Sequence, residues 1–130
     1  MLTSFVQPDG VAAQEGGAEM EITTERQGEV LVVRIGEPRI DAALAIQFKD
    51  RMREIVQDPA ARVVMDLSQV AFLDSSGLGA VVAVMKLMGE GRRLELAGLT
   101  PNVGKVFRLT RMDGVFTIHA APPPRLDHVG

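Results

Sequence analysis

Residues 66–88 read DLSQVAFLDSSGLGAVVAVMKLM, and the organisation of the whole chain follows from them. An apolar run ends at a polar, serine-bearing corner with two glycines, and a second apolar run begins at once. That order predicts a strand feeding a helix, with Asp74, Ser75 and Ser76 at the junction.

Working outward, residues 62–67 form a short apolar run interrupted only by Asp66, which suits a central strand covered on both faces. Asp66 is expected to cap the loop that follows. Upstream, Asp41 is an N-cap for a helix carrying Leu44, Phe48, Met52, Ile55 and Val56 on one face, and Asp58-Pro59 stops it. Before it, Met20, Ile22 and Thr24 alternate with polar residues, and Gln27-Gly28-Glu29 turns the chain into a strand over residues 30–35, so a hairpin is expected. Residues 36–39 break the pattern.

Downstream, Gly89-Glu90-Gly91 stops the second helix and residues 94–97 give another strand. Thr100-Pro101 is an N-cap followed by proline at the first helical position, with Val103, Val106 and Phe107 at helical spacing until Asp113-Gly114. Residues 115–119 form the last strand. Strands alternating with helices imply parallel pairing through crossovers. The expected fold is α/β: a mixed β-sheet, with an antiparallel N-terminal hairpin plus parallel βαβ units, and helices packed on it.

Residues 1–19 mix Gly, Ala, Gln, Glu and Pro without period and are expected to be a mobile N-terminal extension, with Met20 a candidate alternative start. Residues 20–120 make one domain. Residues 121–130 form a Pro-rich C-terminal tail, in which Pro122, Pro123 and Pro124 disfavour a helix and favour an extended, exposed end. At 130 residues with 46% hydrophobic composition the chain can bury a single core.

Composition narrows the function. A net charge of −3 leaves no positive field for a phosphate backbone, so nucleic acid is not an expected partner. The absence of cysteine excludes disulfide and thiolate chemistry, and His119 and His128 alone are a poor supply of metal ligands. Neither a signal-like start nor a run of ~20 apolar residues is present, so no membrane insertion and a cytoplasmic location are expected.

The serine corner admits three readings on residue types alone. Asp74, Ser75 or Ser76 caps the free amides of the first helical turn while Gly77 and Gly79 allow close packing. A catalytic serine would need a nearby histidine, and the G-x-S-x-G elbow is absent. A phosphorylatable hydroxyl at a helix N-terminus is the third, because amide donors and the helix dipole tolerate a phosphate there. The following helix is apolar on two sides, with Leu78, Val81, Val82 and Met85 on one and Ala80, Ala83 and Val84 on the other. Such a helix is fully buried or keeps one face for a partner. Lys105, Arg108 and Arg111 fall at spacings of three and suit a solvated basic face.

The stretch VVMDLSQVAFLDSSGLGAVVAVMKLM resembles the signature region of the STAS domain family, of the anti-sigma-factor antagonist type. GEPRIDAALAIQFKDRM and LAGLTPNVGKVFRLTRMDGVFTIH are similar to the family's early segment and its late strand-helix-strand unit. The resemblance implies a small mixed sheet flanked by helices on one face, and a protein that is not itself an enzyme and holds no cofactor. It implies phosphorylation at Ser75 by an anti-sigma factor acting as a serine kinase with a histidine-kinase-like ATPase fold, to which ATP and Mg2+ belong. Ser76 is the neighbour most easily confused with Ser75. The unphosphorylated form binds the anti-sigma factor and frees the sigma factor, phosphorylation dissociates it, and a PP2C-type phosphatase resets the switch. The partner-binding residues expected are Asp74, Ser75, Ser76, Gly77, Leu78, Gly79 and Val82. The alternative is a STAS docking subunit of a membrane transport system, a lipid-transport ATPase or an anion transporter. Three features depart from the family pattern: Pro122 to Pro124 disfavour its usual last helix, the N-terminal extension of about nineteen residues is longer than the minimal domain requires, and Glu37, Pro38, Arg39 and Ile40 intervene between Gly36 and Asp41.

Overall fold

The hairpin forms where the alternation places it. β1 (Ile22–Gln27) pairs antiparallel with β2 (Val30–Ile35), and Gly28 turns between them at a φ of 66° that glycine adopts without strain. The computed structural model describes residues 20–125, so the expected mobile segment 1–19 and the end of the tail, 126–130, lie outside the described residues. After β2 come β3 (Arg39–Ile40), α1 (Ala42–Ile55), β4 (Arg62–Asp66), β5 (Phe72–Leu73) and α2 (Ser75–Met88). β6 (Arg93–Ala97), α3 (Pro101–Leu109), a 3-10 turn (Met112–Gly114) and β7 (Thr117–His119) complete the chain.

The main sheet has the order β1-β2-β4-β6-β7, with every pair but the hairpin parallel. β4 is central, as its apolar run implies. Its register with β2 and β6 aligns Leu31, Val63 and Leu94 in one row and Val33, Met65 and Leu96 in the next. These residues face the helices, which contribute Phe48 and Met52 from α1, Val81 and Val84 from α2, and Val103 and Phe107 from α3 to one continuous core. Phe107 meets Phe116 edge to face, with ring centroids 5.9 Å apart, a geometry that adds to the area both rings bury. The helices occupy one face of the sheet.

One short element departs from the expectation. Arg39–Ile40 is β3 rather than loop, and it pairs in parallel with β5, the strand expected to feed α2, with Ile40 opposite Leu73. A two-residue strand carries no readable period. At α3, Thr100 is the N-cap but makes no side-chain cap bond. Its hydroxyl donates to the Val70 carbonyl at 2.7 Å and ties α3 to the loop after β4.

Candidate interaction site at the α2 N-terminus

The corner is built by β3 and β5. Pairing of Ile40 with Leu73 ends β5 one residue before Asp74, whose extended backbone (φ −98°, ψ −173°) leaves its side chain free to turn back on the helix. Asp74 Oδ1 accepts the Gly77 N–H at 2.9 Å, and Oδ2 accepts the Ala42 N–H of α1 at 3.2 Å. One carboxylate therefore caps the first turns of two helices. Asp41, as expected, caps α1 through the Ala43 N–H at 3.1 Å.

Gly77 is where α2 comes closest to the small sheet: a Cβ there would lie 2.1 Å from the Ile40 carbonyl oxygen. Only glycine fits, and Gly77 is buried. Gly79 differs from the expectation, since a Cβ there would meet nothing within 4 Å. It is exposed and serves no close packing.

Ser75 and Ser76 are both exposed, in the first turn of α2, and among the described residues neither hydroxyl has a hydrogen-bond partner. Their amides are also without intrahelical carbonyls, as at any helix start. Asp74, Leu78 and Val82 are half-buried and Gly79 is open. Gly77, Ala80, Val81, Val84 and Met88 face the core. The apolar helix is thus buried along one side, and along the other Ser75, Gly79 and Val82 follow one another at helical spacing toward exposed Lys86. Beside the corner, the Arg39 guanidinium lies 4.6 Å from the centroid of the half-exposed Phe72 ring, and its Nε is 3.4 Å from Asp41.

His119 is not part of this site. It lies on the helix-free face of the sheet, where its Nε2 is 2.8 Å from Glu95 Oε1, so the sheet stands between it and Ser75. That face holds the polar groups the sequence reading missed. Glu95 is 2% exposed, pairs with Arg62 at 2.7 and 3.0 Å, and has Arg93 at 3.2 Å. The Arg62 guanidinium holds its carboxyl down at about 2, with His119 and Arg93 adding to the effect against the cost of burial, and Arg62 is itself raised. Arg34 pairs with Asp66 at 3.1 Å and Glu25 at 3.3 Å. Asp66 also caps its loop as expected, accepting the Ser68 N–H at 2.9 Å. In sequence these pairs show as charges within otherwise apolar strands, VLVVRI, RVVMD and RLELA, with nothing to say which charge meets which.

Among the described residues no group of three or more His, Cys, Asp or Glu is placed to hold a metal ion, and no helix is long and apolar enough to cross a membrane. Lys105, Arg108 and Arg111 are exposed.

Comparison with known proteins agrees with this architecture. The family model described as STAS domain matches residues 21–122. The anti-sigma-B factor antagonist of Staphylococcus aureus is 22% identical over 101 residues, 77% of this chain and 93% of that protein. The crystal structure of an anti-sigma factor antagonist from Mycobacterium paratuberculosis is 27% identical, with a TM-score of 0.70 over 83% of this chain and 88% of that one. The Bacillus cell fate determinant SpoIIAA in its phosphorylated form shares the fold at 22% identity and a TM-score of 0.58, over 78% of this chain and 92% of that one.

Proposed function

The chain belongs to the STAS domain family, and we propose that it is an anti-sigma-factor antagonist switched by phosphorylation of Ser75. The unphosphorylated form binds an anti-sigma factor that is also a serine kinase of histidine-kinase-like ATPase fold, and so releases a sigma factor. Its contact surface is Asp74, Ser75, Ser76, Leu78, Gly79 and Val82, with Gly77 setting the approach of α2 rather than touching the partner. ATP and Mg2+ belong to the kinase, and a PP2C-type phosphatase removes the phosphate.

The observation that carries this reading is the exposed Ser75 hydroxyl, without a hydrogen-bond partner among the described residues, in the first turn of α2 at the head of a half-buried apolar ridge. The antagonist relatives, one of them solved in a phosphorylated form, support it. A phosphate brings about −1.5 to −2 charges beside Asp74, where the helix N-terminus accepts it and the fold survives. Like charges about 4 Å apart repel by about 1 kcal/mol in bulk water but about 4 kcal/mol near a desolvated surface. The modification therefore costs the free protein little and a covering partner much.

The test is to incubate the protein with the kinase and ATP, map the modified residue by mass spectrometry, and measure affinity before and after. Phosphate on Ser75 with binding lost is expected. Phosphate on Ser76 alone, or unchanged affinity after modification, refutes the reading.

A further inference from the structure

The helix-free face of the sheet carries a feature that the Ser75 switch does not use. After β7 the chain does not leave the surface. Residues 121–124 lie against this face, with Pro122 and Pro123 half-buried rather than exposed as the composition suggests. Arg34 Nη2 donates to the Pro123 carbonyl at 2.9 Å and Gln27 Nε2 donates to the Pro124 carbonyl at 2.8 Å. Both donors are aimed by one acceptor, Glu25 Oε1, which lies 3.3 Å from Arg34 Nη2 and 3.1 Å from Gln27 Nε2. Val64 is buried beneath, and a cavity of about 300 Å³ opens beside the strap between Pro123, Ala121, Val30 and Arg62.

We propose that this face is a second docking surface, whose occupant is an extended proline-rich segment of a partner protein, and that residues 121–124 are its tethered competitor. The chemistry of the face selects such an occupant. It offers side-chain donors in place of a sheet edge, and proline brings carbonyl acceptors with no N–H to bury. Arg34 is 8% exposed, and among the described residues its Nε has no acceptor. A buried donor left unmet costs about 1–3 kcal/mol, so the face favours an occupant that supplies one more carbonyl than the strap does. That surplus lets a partner compete with a tether whose effective concentration is on the order of millimolar.

The experiment uses the full chain with Pro122→Gly, Pro123→Gly and Pro124→Gly, which loosens the strap, and a fluorescein-labelled peptide Ala-Ala-Pro-Pro-Pro-Arg as probe. Anisotropy is expected to show the peptide binding the triple variant at least about tenfold more tightly than the unaltered chain, and the added substitution Gln27→Leu is expected to abolish binding. Equal affinity for both chains, no binding to a folded triple variant, or indifference to Gln27→Leu overturns the proposal. A concentration-dependent dimer in sedimentation, formed by exchange of straps, would assign the face to a second copy and overturn it too. If the triple variant does not fold, Gln27→Leu alone suffices: the carbon-13 shifts of Pro123 and Pro124 are expected to move toward random-coil values, and unmoved shifts refute the carbonyl-reading pair.

Discussion

Asp74 Oδ2 accepts the Ala42 N–H at 3.2 Å, joining the start of α2 to the start of α1, 32 residues earlier in the chain. The same carboxylate caps its own helix through Gly77, so the residue next to the proposed phosphorylation site also fixes where both helices begin.

Asp74→Ala removes both bonds. A lost N-cap costs about 1 kcal/mol, and a second amide left without an acceptor adds a similar amount. Urea denaturation is expected to show a loss of about 2 kcal/mol, with Asp74→Asn retaining much of the stability because asparagine caps nearly as well.

The two glycines of the corner should separate packing from binding. Gly77→Ala drives a methyl group into the Ile40 carbonyl and is expected to cost about 3 kcal/mol, the upper range for overpacking. Gly79→Ala meets open space and is expected to raise stability by about 0.5–1 kcal/mol through helix propensity, while weakening the partner by adding bulk to the contact ridge. Thermal melts and calorimetric titration with the anti-sigma factor check both.

Ser75→Ala is expected to bind the anti-sigma factor regardless of kinase and ATP. Ser75→Asp is expected to bind at least about tenfold more weakly, through charge beside Asp74, although a carboxylate copies a phosphate poorly. Ser76→Ala should behave as the unaltered chain and still accept phosphate on Ser75. Equal affinities of Ser75→Ala and Ser75→Asp in calorimetry would remove the charge mechanism.

Glu95 predicts an acid limit. Its carboxyl titrates at about 2 in the folded chain against an ordinary 4.5, so the folded state holds its proton less tightly than the unfolded state. The resulting stability is fully present above about pH 4.5 and is lost as the pH falls toward 2, in total about 3 kcal/mol. Glu95→Gln should lower stability at pH 7 by an amount of that order and flatten its dependence between pH 5 and 3. Denaturant midpoints across that range decide it.

Much of the architecture was legible because its causes are local. Asp41 and Asp74 cap helices within three residues of themselves, Gly28 and Gly89 occupy positive φ at the ends of elements, and apolar periods of two and of three to four separate strand from helix. The serine corner stood out for the same reason. β3 did not, because two residues show no period. The strap was expected to be exposed, since nothing within APPPR indicates the donors waiting for it on β1 and β2.

By itself, then, the sequence determined the order of the elements, their caps and the exposed serine at the head of α2, all matters settled within one or two turns of chain. Tertiary structure alone decided the fit of Gly77 on Ile40, the pairing of Arg62 with Glu95, and the meeting of Arg34 with Pro123 across 89 residues. Those contacts depend on strand order and register, and a slip of one residue would carry each side chain to the opposite face of the sheet. No local pattern encodes that choice, which is made by the whole core packing at once.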